Sequence, residues 1–138
     1  MFYAQVDPKW KNTKLGTCST TIGQSGCFMT SLANVAWKLP SEVNELFKKN
    51  GAYVSGCLVS SDKAAALLNL TYGGKTTTKP SVVCIAETNY YASKGVPQHF
   101  FMWHPDGRIA DPLDMNPDWQ KNTKNYPIVS YRLFQLKK

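Results

Sequence analysis

The sequence predicts an α+β fold in which helices from the N-terminal half pack on an antiparallel sheet from the C-terminal half. Two observations predict it. Between residues 26 and 70, three segments carry helix start and stop signals. From residue 80 onward, β-branched and aromatic residues gather in short runs separated by Pro, Gly and Asn, which is typical of strands. With 138 residues, 43% of them apolar, residues 1–138 are expected to form a single domain.

Three helices are predicted from these signals: Gly26 to Lys38, Glu42 to Lys49 and Asp62 to Leu70. Ser41 is the expected N-cap of the second helix, and Ser60 or Ser61 that of the third. The glycines of Tyr72-Gly73-Gly74 favour a turn, which would end the third helix. Residues 1–24 contain turn signals and no periodicity, so they predict an irregular arm anchored on the core by Trp10.

The C-terminal half contains four runs with strand character, near residues 81–88, 97–104, 107–111 and 128–136. Pro105-Asp106-Gly107 is typical of a tight turn and would join the second run to the third. A hairpin at this turn would place residues of both runs on neighbouring strands.

The charge of the chain favours a polyanionic partner. The formal net charge is +7, and the lysines are spread along the chain. There are only two arginines, Arg108 and Arg132, and no RNA-binding aromatic signature, which argues against nucleic acid. An anionic bacterial wall suits the charge. No apolar run approaches the ~20 residues that a membrane span needs, and no signal peptide is recognised, so the host cytoplasm is the expected site of synthesis.

The four cysteines are Cys18, Cys27, Cys57 and Cys84. Their spacing forms no CxxC motif, and with two histidines no zinc-finger pattern arises, so no metal or other cofactor is predicted. Without a secretion signal, reduced thiols are expected. Cys84 lies within an apolar strand-like run and is expected to be a core residue.

A possible catalytic set consists of Cys27, His99 and Asp111. Cys27 follows Gly26 and opens an apolar helix, whose unpaired N–H groups would stabilise a thiolate. His99 would accept the thiol proton, and Asp111 would orient its ring. Each residue also has a purely structural reading: a lone helical Cys is usually core, a His among aromatics can be a satisfied core residue, and Asp before Pro favours a turn.

An oxyanion intermediate needs two donors in such a site. The backbone N–H of Cys27 is one, because Gly26 permits close approach of the chain. The second donor is Gln5, in an arm that would fold across the cleft, or Gln24, which is near Cys27 in sequence. The sequence leaves both open.

These residues belong to segments that resemble the C39-like branch of the papain-like cysteine peptidases, including its phage and bacterial cell-wall (endolysin-like) members. The segments are Tyr3-Ala4-Gln5-Val6-Asp7-Pro8-Lys9-Trp10, Leu15-Gly16, Thr21-Ile22-Gly23-Gln24-Ser25-Gly26-Cys27, Ser31-Leu32-Ala33-Asn34-Val35, Pro40-Ser41-Glu42-Val43-Asn44-Glu45-Leu46, Asn50-Gly51-Ala52-Tyr53, Gln98-His99-Phe100 and Ile109-Ala110-Asp111-Pro112.

The resemblance implies a papain-like α+β fold with Cys27 as nucleophile, His99 as base and Asp111 as orienter. It also implies a Gln upstream of the Cys as oxyanion donor, carried over to Gln5. The sequence differs from bacteriocin-processing members, whose Gln occupies the place of Thr21, and this argues against a leader peptidase.

The function expected from this resemblance is cleavage of an amide in bacterial peptidoglycan, as an endolysin-like endopeptidase or amidase. Such a protein would act on the wall after release from the host cytoplasm or as part of a virion. One alternative is a papain-like protease or deamidase acting on a host protein. The other is a non-catalytic interaction module that keeps the fold, because fold alone does not choose among activities.

Overall fold

The computed structural model describes residues 2–55 and 57–137, and these residues form helices and strands in an α+β arrangement. The α-helices are α1 (Ile22–Ser25), α2 (Cys27–Val35), α3 (Pro40–Lys49) and α4 (Ser61–Leu68), with a 3₁₀ turn at Ala92–Lys94. The strands are β1 (Tyr53–Val54), β2 (Leu58–Val59), β3 (Leu70–Thr76), β4 (Cys84–Thr88), β5 (His99–Trp103), β6 (Ile109–Ala110) and β7 (Ile128–Leu136). Within the described residues, no helix has the length and apolar character needed to cross a membrane.

The three predicted helices are confirmed as α2, α3 and α4, with differences at their ends. The prediction that Ser41 caps α3 is wrong, because the helix already begins at Pro40 with Leu39 as its N-cap. Proline suits the first helical position, where its missing N–H has no partner to lose. Ser60 is the N-cap of α4 and accepts a hydrogen bond from the backbone N–H of Lys63.

The predicted turn at Tyr72-Gly73-Gly74 is wrong, since these residues lie inside β3. Asn69, in the left-handed conformation at φ +56°, ends α4 instead. The register of β3 against β7 shifts between Tyr72 and Lys75, and Gly74 lies there at φ +95°, a conformation that glycine adopts readily. Pairing with the long strand β7 therefore overrides the local turn preference of the two glycines.

Five of the strands form an antiparallel sheet in the order β3-β7-β4-β5-β6. Alternate residues of β4 face opposite sides: Ile85 joins the cluster packed under the helices, whereas Cys84 and Ala86 join a second cluster on the other face. Helix α2 packs against β5 on the first face. The prediction that Cys84 is a core residue is confirmed.

The N-terminal arm is fixed to the core at several points. Trp10 is buried, as predicted, and its indole Nε1–H donates to the carbonyl of Ala4 at 2.8 Å. The Asn34 side chain accepts from Tyr3 N–H at 2.7 Å and donates to Tyr3 O at 3.0 Å. The irregular part ends at Thr21, the N-cap of α1, which is earlier than predicted. The arm is thereby held against the helix that carries Cys27.

Cys18 and Cys57 form a disulfide, so the expectation of reduced thiols is wrong for this pair. Their Cα atoms are 5.1 Å apart, which lies within the range of disulfides. The two residues are 39 positions apart in sequence, and only the packing of the arm against the β1–β2 hairpin brings them together. Cys27 and Cys84 are free thiols.

Asn44 is a buried polar residue that ties three segments together. Its side-chain oxygen accepts from Gly16 N–H at 2.9 Å and from the Tyr53 hydroxyl at 2.7 Å, and its amide donates to Lys14 O at 3.0 Å.

Because a buried group left unpaired costs about 1–3 kcal/mol, Asn44→Ala is expected to lower the free energy of unfolding by about 3 kcal/mol. Urea unfolding measures this change. The control Asn12→Ala, at an exposed site, should stay within about 0.5 kcal/mol of wild type; equal stability of the two variants would contradict the role of Asn44.

Candidate active site

Cys27 is the first residue of α2, directly after Gly26. The N–H groups of the first helical turn have no intrahelical partner and attract negative charge, and no side chain caps this end of α2. A Cβ on Gly26 would lie 2.5 Å from the carbonyl oxygen of Ile22, so only glycine fits the tight passage from α1 into α2. The geometry places the Cys27 side chain at the end of α2 where these N–H groups are unpaired.

His99 and Asp111 come together through the register of β5 and β6. Met102 pairs with Ala110 and Trp103 with Ile109. Continuing this register places Asp111 opposite Phe101, on the same face of the sheet as His99, because every second residue of a strand shares a face. The structure therefore settles the register that the sequence could not.

The His99 ring and the Asp111 carboxylate form a buried hydrogen bond. Nε2 of His99 donates to Oδ1 of Asp111 at 2.8 Å, and the two residues are only 3% and 1% exposed. Asp111 accepts two further hydrogen bonds, from Leu113 N–H to Oδ1 at 3.0 Å and from the Tyr126 hydroxyl to Oδ2 at 2.8 Å. The carboxylate is thus fixed in orientation by three donors.

The charges of the site are set by these contacts. Burial by itself would raise the pKa of Asp111, but the hydrogen bond and charge of His99, with the other two donors, hold it below its ordinary value. Burial by itself would lower the pKa of His99, but the hydrogen bond to Asp111, the neighbouring Cys27 side chain and the negative charge of Asp111 raise it to about 10. Since Nε2 is committed to Asp111, Nδ1 is the ring nitrogen left for Cys27.

Tyr126 belongs to this site and was not found by the sequence analysis. Its ring stacks on Phe101, and the Tyr91 hydroxyl lies 2.8 Å from its own. Burial, then Tyr91 and Asp111, raise its pKa, so it remains a protonated donor to Asp111. No local motif marks Tyr126; it follows a loop and meets Asp111 only in the folded chain.

Gln5 lies between the segment that precedes Cys27 and the segment that follows Asp111. Its backbone N–H donates to Pro112 O at 2.8 Å, and its side-chain Nε2 lies 3.1 Å from Gly23 O and 3.5 Å from Ile22 O. The side chain is only 2% exposed, and its Oε1 has no hydrogen-bond partner among the described residues. The arm therefore lies against the segment that precedes Cys27 and the segment that follows Asp111.

Gln24 has a different environment. It is exposed, and it forms a capping box with Thr21 at the start of α1. Its Oε1 accepts from Thr21 N–H at 3.0 Å, and its own N–H donates to Thr21 Oγ1 at 3.3 Å. The structure thus gives Gln24 a local structural contact in the helix that precedes Cys27.

Cys27 opens into a cleft of about 270 Å³. Apolar side chains form much of the wall, and the disulfide-bonded Cys57 contributes to it: Phe28, Cys57, Leu58, Val59 and Phe100. Gln98 and Arg132 add polar groups. A larger groove of about 450 Å³ lies near Trp37, beyond the other end of α2, and has no charged side chain or cysteine in its lining. The chemistry of the chain is therefore concentrated at the smaller cleft.

Within residues 2–55 and 57–137, no three His, Cys, Asp or Glu side chains are grouped in a way that could hold a metal ion. The reactive groups of the candidate site are the Cys27 thiol, which lines the cleft, and the buried His99 imidazole and Asp111 carboxylate. Such a set can carry out nucleophilic attack and proton transfer.

Comparison with protein-family models, with curated proteins and with solved structures finds no significant match to this chain.

Proposed function

We propose that this protein is a thiol hydrolase with a papain-like fold that cleaves amide bonds in bacterial peptidoglycan, as an endolysin-like endopeptidase or amidase. The observation that carries the proposal is the buried His99–Asp111 pair, together with Cys27, which is close enough to His99 to raise the pKa of its imidazole. A structural role alone does not require a free thiol, an imidazole and a carboxylate in a row at a helix N-terminus beside a cleft.

In the proposed reaction, His99 takes the proton of Cys27, and the resulting thiolate attacks the carbonyl carbon of the scissile amide. The imidazolium then donates its proton to the leaving amine, which leaves a thioester on Cys27. Water, deprotonated by the neutral His99, hydrolyses the thioester and restores the thiol. Asp111 keeps Nε2–H oriented and stabilises the imidazolium in each step.

Gln5 is the proposed side-chain donor to the oxyanion. It is buried, it contacts the backbone just before Cys27, and its second amide proton is held only by the long 3.5 Å contact with Ile22 O. The N–H of Cys27 is the other proposed donor. Gln24 is the weaker candidate because it is exposed and already engaged with Thr21.

A wall substrate is supported by two features of the chain. The net charge of +7 attracts an anionic surface. The Cys18–Cys57 disulfide favours a protein that works outside a reducing cytosol, since cytosolic disulfides are rare. This second feature weighs against a protease or deamidase that acts on a protein inside the host. The assembled reactive groups weigh against a non-catalytic module.

The first prediction concerns the two free thiols. Cys27→Ala is expected to abolish loss of turbidity and release of fragments from purified peptidoglycan, because it removes the nucleophile. The matched control is Cys84→Ala, which should retain hydrolysis. Iodoacetamide at neutral pH is expected to alkylate Cys27 and spare Cys84, since burial raises the pKa of Cys84 to about 12. Peptide mass mapping reports both sites, and hydrolysis by Cys27→Ala would exclude the proposed mechanism.

The second prediction concerns pH. Asp111 raises the pKa of His99, so the neutral side chain in Asp111→Asn should lower that pKa and move the basic limb of kcat/KM to lower pH. Activity at pH 7 is expected to fall on the order of 10- to 100-fold without vanishing, because general acid–base assistance is worth about 10²–10⁴ in all. A pH profile from 5 to 11 measures the shift. An unchanged basic limb would mean that Asp111 does not control His99.

The third prediction separates the two glutamines. Gln5→Ala is expected to lower kcat on the order of 10²-fold, the cost of one oxyanion donor, with a smaller effect on KM. Gln24→Ala should keep kcat near wild type, since it loses only a helix cap. Thermal unfolding of both variants controls for loss of fold. The opposite ranking of the two kcat values would assign the oxyanion donor to Gln24.

A further inference from the structure

Arg132 is the only charged side chain among the described residues that line the cleft of Cys27. It lies within β7, opposite Ile85 of β4, and its side chain is 14% exposed. The guanidinium carbon is 5.3 Å from the centre of the Phe100 ring, which also lines the cleft. A cation on an aromatic face beside the nucleophile has no part in the proposed reaction steps.

One edge of the Arg132 guanidinium is held by the protein. Nη1 donates to Glu87 Oε1 at 2.9 Å and also to the Ser130 hydroxyl. Among the described residues, no hydrogen bond is made by Nη2 or Nε. Two nitrogens of the planar fork, which suits bidentate binding of a carboxylate, therefore remain available to a ligand.

The Glu87 carboxylate holds the Arg132 guanidinium in position. Its carboxylate also accepts from Ser130 Oγ at 2.8 Å and from Gln98 Nε2 at 3.1 Å. Burial alone would raise the pKa of Glu87, but the hydrogen bonds from Arg132, Ser130 and Gln98 keep it below the ordinary value. With its acceptors occupied, Glu87 holds the guanidinium in one orientation, which lowers the entropy that a ligand would otherwise lose.

We propose that Arg132 binds a carboxylate of the substrate, so that the cleft selects peptides with a free carboxylate close to the scissile amide. This inference rests on the proposed function and names its substrate class. The apolar wall formed by Leu58, Val59 and Phe28 would contact the aliphatic part of the same peptide. The substrate carboxylate would accept hydrogen bonds from Nη2 and Nε of Arg132.

The test uses soluble stem peptides in two forms, with free carboxylates and with the corresponding carboxamides. Wild type is expected to cleave the carboxylate form with a kcat/KM about 10- to 100-fold higher, the range of a charge-assisted hydrogen bond. In Arg132→Gln this ratio should fall to about 1. Equal cleavage of the two forms by wild type would overturn the inference and leave the proposed function standing.

Glu87→Gln is the matched control, because it breaks the same ion pair and keeps the guanidinium. It should retain a preference for the carboxylate form, whereas a merely structural ion pair predicts the same loss in both variants. Should Arg132→Gln fail to fold, Glu87→Gln/Arg132→Gln removes both charges and leaves no unpaired buried carboxylate. That double variant should also have a ratio of about 1.

Binding separates this inference from the proposed function. In Cys27→Ala, calorimetry with the uncleaved peptides should show tighter binding of the carboxylate form, and the added change Arg132→Gln should remove the difference. A binding difference without cleavage by wild type would sustain the carboxylate site and reject the hydrolase. Cleavage of peptidoglycan without any binding difference would do the reverse.

Discussion

The hydrogen bond from His99 Nε2 to Asp111 Oδ1 is the interaction on which the candidate site depends. Both residues are almost completely buried, where an isolated charge would be costly. The Asp111 carboxylate is stabilised there because Leu113 N–H and the Tyr126 hydroxyl also donate hydrogen bonds to it. Burial by itself would lower the pKa of His99, but the hydrogen bond to Asp111 and its negative charge raise it. Loss of any one partner would leave a buried group uncompensated.

Several distant segments must meet for this arrangement to exist. Cys27 lies at the start of helix α2, His99 and Asp111 come from the β5–β6 pair, and Gln5 of the N-terminal arm contacts the backbone of Gly23 and Pro112. The Cys18–Cys57 disulfide links the arm to the hairpin that forms one wall of the cleft. The hairpin that lines the cleft is therefore also the element to which the disulfide attaches the arm. The shape of the cleft thus depends on how the first twenty residues pack.

Much of the fold was readable from the sequence because its signals are local. The apolar run after Cys27, the cap at Ser60 and the turn at Pro105-Asp106-Gly107 all appear in the structure as expected. Strand β3 was missed, because Gly73 and Gly74 have a turn preference that pairing with β7 overrides. The short hairpin β1–β2 was missed as well, since two-residue strands carry no periodicity.

By itself, the sequence determined the α+β class, the place of Cys27 at a helix N-terminus, the buried Trp10 and Cys84, and the residue types available for thiol chemistry. The tertiary structure alone decided the pairing of Cys18 with Cys57, the shared face of His99 and Asp111, and the contacts of Tyr126 with Asp111 and of Arg132 with Glu87. The physical reason is the distance along the chain between the residues that determine each feature. Helix caps and turns depend on neighbouring residues, whereas strand register and the burial of a charge depend on contacts between residues far apart in the chain.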